Sequence, residues 1–122
     1  MATGGTAGLI ERAVQRFQKE VPALAKLKLV FELELRGRGD VQMFRVQVPG
    51  PKISKGVADD ARVTVEITRS HFNELAAEGK VSHYREAYQH GHIKASGDPN
   101  VIKLIGQVVD RHEERTRTKK VH

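Results

Sequence analysis

Leu27-Lys28-Leu29-Val30-Phe31-Glu32-Leu33-Glu34-Leu35-Arg36 is the stretch that decides the fold. Leu27, Leu29, Phe31, Leu33 and Leu35 alternate with residues that are charged at every position but Val30. A period of two sends successive side chains to opposite faces, so this is a strand with one apolar face. Arg36-Gly37-Arg38-Gly39-Asp40 reads as a turn, and Val41 to Val48 as the strand that returns from it. In that second strand the alternation slips. Val41 and Met43 fall in one phase, and Phe44, Val46 and Val48 in the other. A bulge, or a strand apolar on both sides, accounts for the slip. Pro49-Gly50-Pro51 ends the strand.

Working outward, Lys52 to Lys55 reads as a short edge strand and Gly56 to Asp60 as a loop. Ala61, Val63, Val65 and Ile67 alternate with Arg62, Thr64, Glu66 and Thr68, which is a second half-buried strand. Upstream, Ile10, Ala13, Val14, Phe17 and Val21 fall at three- and four-residue spacing, the stripe of an amphipathic helix. Pro22 disfavours helical geometry at Val21 and predicts a kink or stop there. Residues 1–8 are small, Gly-rich and read as loose.

Downstream, a helix is predicted from Ser70, whose hydroxyl can cap it, through Phe72, Leu75 and Ala76 to Gly79. A second short helix is predicted from Ser82 to Gln89, with Tyr84, Ala87 and Tyr88 as its apolar residues and Gly91 closing it. His92 to Ser96 reads as a short strand. Asp98-Pro99 then starts the last helix, a capping carboxylate followed by proline at the first helical position. That helix carries Val101, Ile102, Leu104, Ile105, Val108 and Val109. After Asp110 the chain is almost wholly charged and polar. The order of elements predicts an α+β domain, a mainly antiparallel sheet with helices packed against it.

The bulk properties exclude several classes. At 122 residues the chain is read as one domain with a charged tail over 111–122, large enough to bury a core without a metal or disulfide. It has no cysteine, which removes disulfides, thiolate metal sites and thiol nucleophiles together. No segment approaches the roughly 18 consecutive apolar residues of a membrane span. Neither a signal peptide at the start nor a peroxisomal address at Lys119-Lys120-Val121-His122 is expected, and a cytoplasmic location is. The net charge is +6, with a pI near 9.8, which suits nucleic acid, an anionic membrane or an acidic partner. Yet four Phe, two Tyr and no Trp are few for a base-stacking platform, so nucleic acid is the weaker reading.

No catalytic or metal-binding set emerges. His90 and His92 would share a face on a strand, but Gly91 breaks that geometry, and solvated histidines are the preferred reading. Asp59-Asp60 and Glu113-Glu114 are adjacent pairs in polar stretches, where two carboxylates seldom converge on one substrate. No serine sits in a nucleophile elbow. Gly4-Gly5 and Gly37-Arg38-Gly39 lack the strand–loop–helix spacing of a phosphate-binding fingerprint. No enzyme activity, cofactor or metal is expected.

The ordered set Gly56-Val-Ala-Asp-Asp-Ala-Arg-Val-Thr-Val-Glu-Ile-Thr-Arg-Ser-His-Phe-Asn-Glu-Leu75, Glu78-Gly79-Lys80 and Gly91-His-Ile-Lys-Ala-Ser-Gly97-Asp98 resembles the sterol carrier protein type 2 (SCP2) domain. His92 stands where that family often has Lys, and the Pro common soon after its Gly-Lys is absent. The pattern covers about residues 25–109. The resemblance implies a five-stranded sheet whose helices enclose an apolar tunnel for sterols, fatty acyl chains or related lipids. With no peroxisomal address expected and a short chain, a stand-alone member of prokaryotic type is expected. The last helix has more large aliphatics than one stripe needs, and the resemblance favours a ligand-lining wall over a helix buried between elements or at a dimer contact. On that reading the lining is Phe44, Val46, Phe72, Leu75, Tyr84, Tyr88, Val101, Ile105 and Val108. The expected partners are a lipid or other apolar small molecule and an anionic membrane surface, with the chain a monomer or weak homodimer. The rivals are a nucleic-acid-binding protein and an interaction or dimerisation domain with a filled core.

Overall fold

The computed structural model describes residues 5–121, with the side chains of all of these but Glu78 and residues 116–121. The chain runs α1 (Gly5–Glu20), a 3-10 turn (Pro22–Lys26), β1 (Leu29–Arg36), β2 (Val41–Val48), β3 (Lys52–Lys55) and β4 (Val63–Thr68). Then come α2 (Arg69–Glu78), α3 (Val81–Gln89), β5 (Ile93–Gly97) and α4 (Pro99–Val121). The five strands form one sheet in the order β3-β2-β1-β4-β5. Helices cover its apolar face, so the α+β class holds.

The sheet is mixed. Three pairings are antiparallel, but β1 and β4 run parallel, with Leu33 opposite Val65 and Leu35 opposite Ile67. Local alternation reports that β4 is a strand, not which neighbour it takes or in which direction; that follows from the long connection through β2 and β3. The β1–β2 register is unbroken from Leu29–Val48 to Arg36–Val41. The slip in β2 is therefore a strand apolar on both sides, not a bulge. Phe44 and Val46 are buried on the inner face, whereas Val41 on the outer face is 45% exposed.

The register stacks the inner face in rungs: Val46–Phe31–Val63–Gly97, Phe44–Leu33–Val65–Ala95, and Leu35–Ile67–Ile93. Ile10 and Ala13 of α1, Phe72, Leu75 and Ala76 of α2, and Ala87 of α3 close over Leu33, Leu35, Phe44, Val46 and Ile67. At about 25 cal/mol per Å² of apolar surface withdrawn from water, this cluster is the main source of stability. The outer face carries Glu32, Glu34, Arg36, Arg45, Glu66 and Lys94, and the Gly56-to-Ala61 loop lies against it. Glu32 is buried there and accepts the Ala58 N–H at 2.9 Å, and Arg45 clasps Asp60 through two bonds of 3.0 and 2.6 Å.

Several boundaries differ from the sequence reading. α1 begins at Gly5, and Gly8 is buried, so residues 5–8 are helical; residues 1–4 lie outside the described part. Thr68, not Ser70, caps α2, its hydroxyl accepting from the His71 N–H at 3.4 Å. Both residues offer a hydroxyl, and β4 ends in the extended geometry a cap requires at Thr68. α4 continues past Asp110 to Val121, because Glu113, Glu114, Arg115 and their neighbours are good helix formers even without an apolar face. Gly97 is positioned as motif reading suggests, at φ 118°. A Cβ there would lie 2.5 Å from the Arg62 carbonyl oxygen, so only glycine lets β5 approach β4 this closely.

Candidate functional site

The nine candidate lining residues divide into three groups. Phe44, Val46, Phe72 and Leu75 are in the buried cluster, all 8% exposed or less. Tyr84 packs against that cluster from α3, and Tyr88, one turn later, is 49% exposed. Val101, Ile105 and Val108 are half-buried on α4, as are Ile102 and Val109, while Leu104 is 45% exposed.

α4 is thus a covering helix at the margin of the core. It starts directly after β5 and packs against β5 and the 3-10 turn. Asp98 anchors its start, accepting the Asn100 N–H at 2.9 Å and pairing with Arg62 at 2.7 Å. The Arg62 guanidinium, then the Asn100 amide, hold the Asp98 carboxyl below its ordinary range. Further along, Arg85 of α3 pairs with Asp110 at 3.0 Å, and His112 stands 3.9 Å from the Glu20 carboxylate of α1. These polar contacts flank an apolar strip that is only partly withdrawn from water.

The inner sheet face also holds apolar residues that are half-buried, Leu29 and Phe31 of β1, Val65 of β4 and Ala95 of β5, as is Leu24 of the 3-10 turn. The alternation places Leu29, Phe31 and Val65 on the inner face, but it carries no information about how completely a distant helix covers them. Tyr84, like Phe31 and Val65, packs against the buried cluster. Its ring meets Phe17 edge-on at a centroid distance of 4.5 Å. Burial pushes the Tyr84 hydroxyl up to about 12, with the Arg16 charge opposing.

At the opposite end of β1 and β4 the surface is polar. A cavity of about 480 Å³ is lined by Arg36, Gly37, Arg38, Thr68, Arg69, Ser70 and Asn73, and a smaller one of about 210 Å³ includes Glu66, His71, His92 and Lys94. None of the nine lining candidates borders either cavity. His71 and His92 approach to 5.0 Å between ring centroids, and His90 and His92 to 6.3 Å. Among the described residues no group of three or more His, Asp or Glu is arranged to hold a metal ion, and no helix is long and apolar enough to cross a membrane.

Neither a family model nor a curated protein sequence matches the chain. Solved structures do. The sterol carrier protein domain 2 of Helicoverpa armigera superposes with a TM-score of 0.61 at 13% identity, over 87% of this chain and 86% of that one. Palmitated SCP2L2 from Aedes aegypti gives 0.57 at 22% identity, over 82% and 93%. A variant of the sec-alkyl sulfatase PisA1 gives 0.59 at 16% identity, over 85% of this chain but 16% of the sulfatase. The likeness is one of fold, and in the third case the fold is one part of a much longer chain.

Proposed function

Proceeding from a chain with the sterol carrier protein 2 fold, we propose that it binds, and can carry, a lipid or similar apolar molecule and has no catalytic activity of its own. The observation that carries the proposal is the half-buried apolar strip of α4, which packs against β5 and the 3-10 turn, together with inner-face residues of β1, β4 and β5 that are left half-buried too. In a filled core those side chains would be fully withdrawn from water; here each has surface left to cover. An acyl or ring system lying between α4 and the sheet would lose water at about 0.8 kcal/mol per methylene buried. The palmitate in the Aedes aegypti structure supports an acyl chain as the kind of ligand. Val101, Ile105 and Val108 would form the outer wall and Phe31 and Val65 the floor. Phe44, Val46, Phe72 and Leu75 would support that floor from within the core, with Tyr84 and Tyr88 at one side. The tunnel is the state in which α4 closes over the ligand.

The test is binding by delipidated protein. Displacement of an apolar dye by palmitate, with native mass spectrometry, should give saturable one-to-one binding to the folded chain. Absence of binding across fatty acids, sterols and phospholipids would refute the proposal. The exposed Leu104 supports a second reading in which a second copy covers α4. Light scattering of the delipidated protein separates the two, since that reading requires a dimer.

A further inference from the structure

The polar end of the sheet gathers cations for which neither the core nor the apolar strip has a use. Arg36 ends β1, Arg38 lies in the following turn, and Arg69 opens α2, and all three line the cavity of about 480 Å³. Lys94 lines the adjoining smaller cavity, which shares Arg36 and Thr68 with the first. Two carboxylates partly balance the four cations: Glu66 meets Arg36 Nε at 2.6 Å, and Asp40 accepts from an Arg69 terminal nitrogen at 2.8 Å. Arg38 has no ion pair among the described residues. A surplus of positive charge therefore faces one concavity.

The Arg69 guanidinium is held in place with donor capacity left over. Its Nε is buried and has no hydrogen-bond partner, a costly state for a charged donor. The group lies close to the turn at Gly37, where a Cβ would be 2.9 Å from both the guanidinium carbon and a terminal nitrogen and 2.7 Å from Asp40 Oδ1. The absence of a side chain at Gly37 leaves room for the guanidinium beside the turn, and Asp40 restrains one of its terminal nitrogens. The guanidinium's terminal nitrogens, only one of which is engaged by Asp40, are the part of the planar fork that can meet a ligand with several acceptor oxygens, and the buried, unpartnered Nε reports on any shift of the group. The hydroxyl groups of Thr68 and Ser70, which line the same cavity, add neutral donors.

We propose that this cavity is a binding site for a phosphate monoester, held by Arg69 and Arg38 with Arg36 completing the charge. The site is at the other end of β1 from α4 and stands independently of the apolar-ligand reading. The phosphate group can belong to a free small molecule or to a lipid headgroup, and the two sources are separable.

The full chain, with arginine Nε–H and backbone amides observed by NMR, is titrated at constant ionic strength with glycerol 3-phosphate and inorganic phosphate. It is titrated separately with phosphatidylcholine vesicles, with and without phosphatidic acid. Saturable shifts of Arg69 Nε–H and the Gly37 amide are expected. Saturation by the free phosphates identifies a soluble ligand, and a response only to phosphatidic acid vesicles identifies a headgroup; either supports the site. Arg38→Ala, at an exposed and unpaired position, and Arg69→Lys, which keeps the charge but not the fork, should each weaken binding about tenfold, corresponding to about 1.4 kcal/mol. Circular dichroism of Arg38→Ala should match the parent, so its loss of binding is not a loss of fold. No response beyond a chloride control, equal affinity in both variants, or binding of an oligonucleotide without binding of either free phosphate or phosphatidic acid would overturn the proposal.

Discussion

Leu35 and Ile105 are both aliphatic residues on apolar stripes, yet their surroundings differ. Leu35 is completely buried between Phe44's strand and Ile67, whereas Ile105 keeps part of its surface in water. Leu35→Ala should therefore cost about 2–5 kcal/mol in urea unfolding, through lost burial and the cavity left behind. Ile105→Ala should cost about 1 kcal/mol in delipidated protein and should weaken palmitate binding more than it lowers stability. A core-sized loss at Ile105 with unchanged affinity would show a filled core there. Tyr84 allows a pH test. Its folded hydroxyl is raised to about 12, so the folded chain keeps that proton where the unfolded chain has released it. The resulting stability is complete below the ordinary phenol range, at about pH 10, and is lost as pH rises toward 12. Thermal melts of Tyr84→Phe should lack that part of the alkaline decline.

Among the elements, β1 is informative on both faces. Its outer face sets Glu34 opposite Glu66 of β4 in the parallel register, with Glu32 two residues away on the same face. Burial first, then the Glu32 hydrogen bond and the neighbouring acidic charges, raise the Glu34 carboxyl above its ordinary value, while Arg36 opposes. Ionised Glu34 is thus a liability of the folded state, and its favourable contribution is present only below the unfolded carboxylate range. Glu34→Gln should stabilise the protein at neutral pH by up to about 1 kcal/mol, the ordinary scale of a like-charge cross-strand pair. The gain should shrink on acidification, and chemical unfolding at a series of pH values checks it. β1 was legible because period two over ten residues has no helical counterpart. The start of α2 was legible only to within two residues, because Thr68 and Ser70 can both cap and the end of β4 decides between them. α4 was legible as a helix from Asp98-Pro99, but its number of aliphatics could not reveal that none would be fully buried.

For the molecule as a whole, the buried cluster draws on residues from Ile10 to Ala87, and the inner face is complete by Gly97. Deleting residues 111–122 should therefore preserve the fold, since no described residue of that segment belongs to the buried cluster; the approach of His112 to Glu20 is one of the contacts removed. The segment holds five Lys and Arg against Glu113 and Glu114, so its loss should weaken association with anionic vesicles at low salt. Circular dichroism and vesicle co-sedimentation at two salt concentrations check both parts. Unfolding on truncation would show that the end of α4 packs, and unchanged sedimentation would show that its charge is incidental.

By itself the sequence determined what depends on neighbours along the chain. These are the alternation that makes β1 and β4, the proline that ends α1, and the Asp98-Pro99 start of α4. The ordered glycine pattern that resembles the SCP2 domain belongs with them. Tertiary structure alone decided what depends on distant residues. It made β4 the parallel neighbour of β1, and it put Phe44, Val46, Phe72 and Leu75 in the core while leaving Val101, Ile105 and Val108 half-covered. It also brought Arg69 to the same cavity as Arg36 and Arg38 from a separate stretch of chain. The reason is physical: periodicity assigns a side chain to a face, but burial and charge density depend on which other surfaces arrive opposite it.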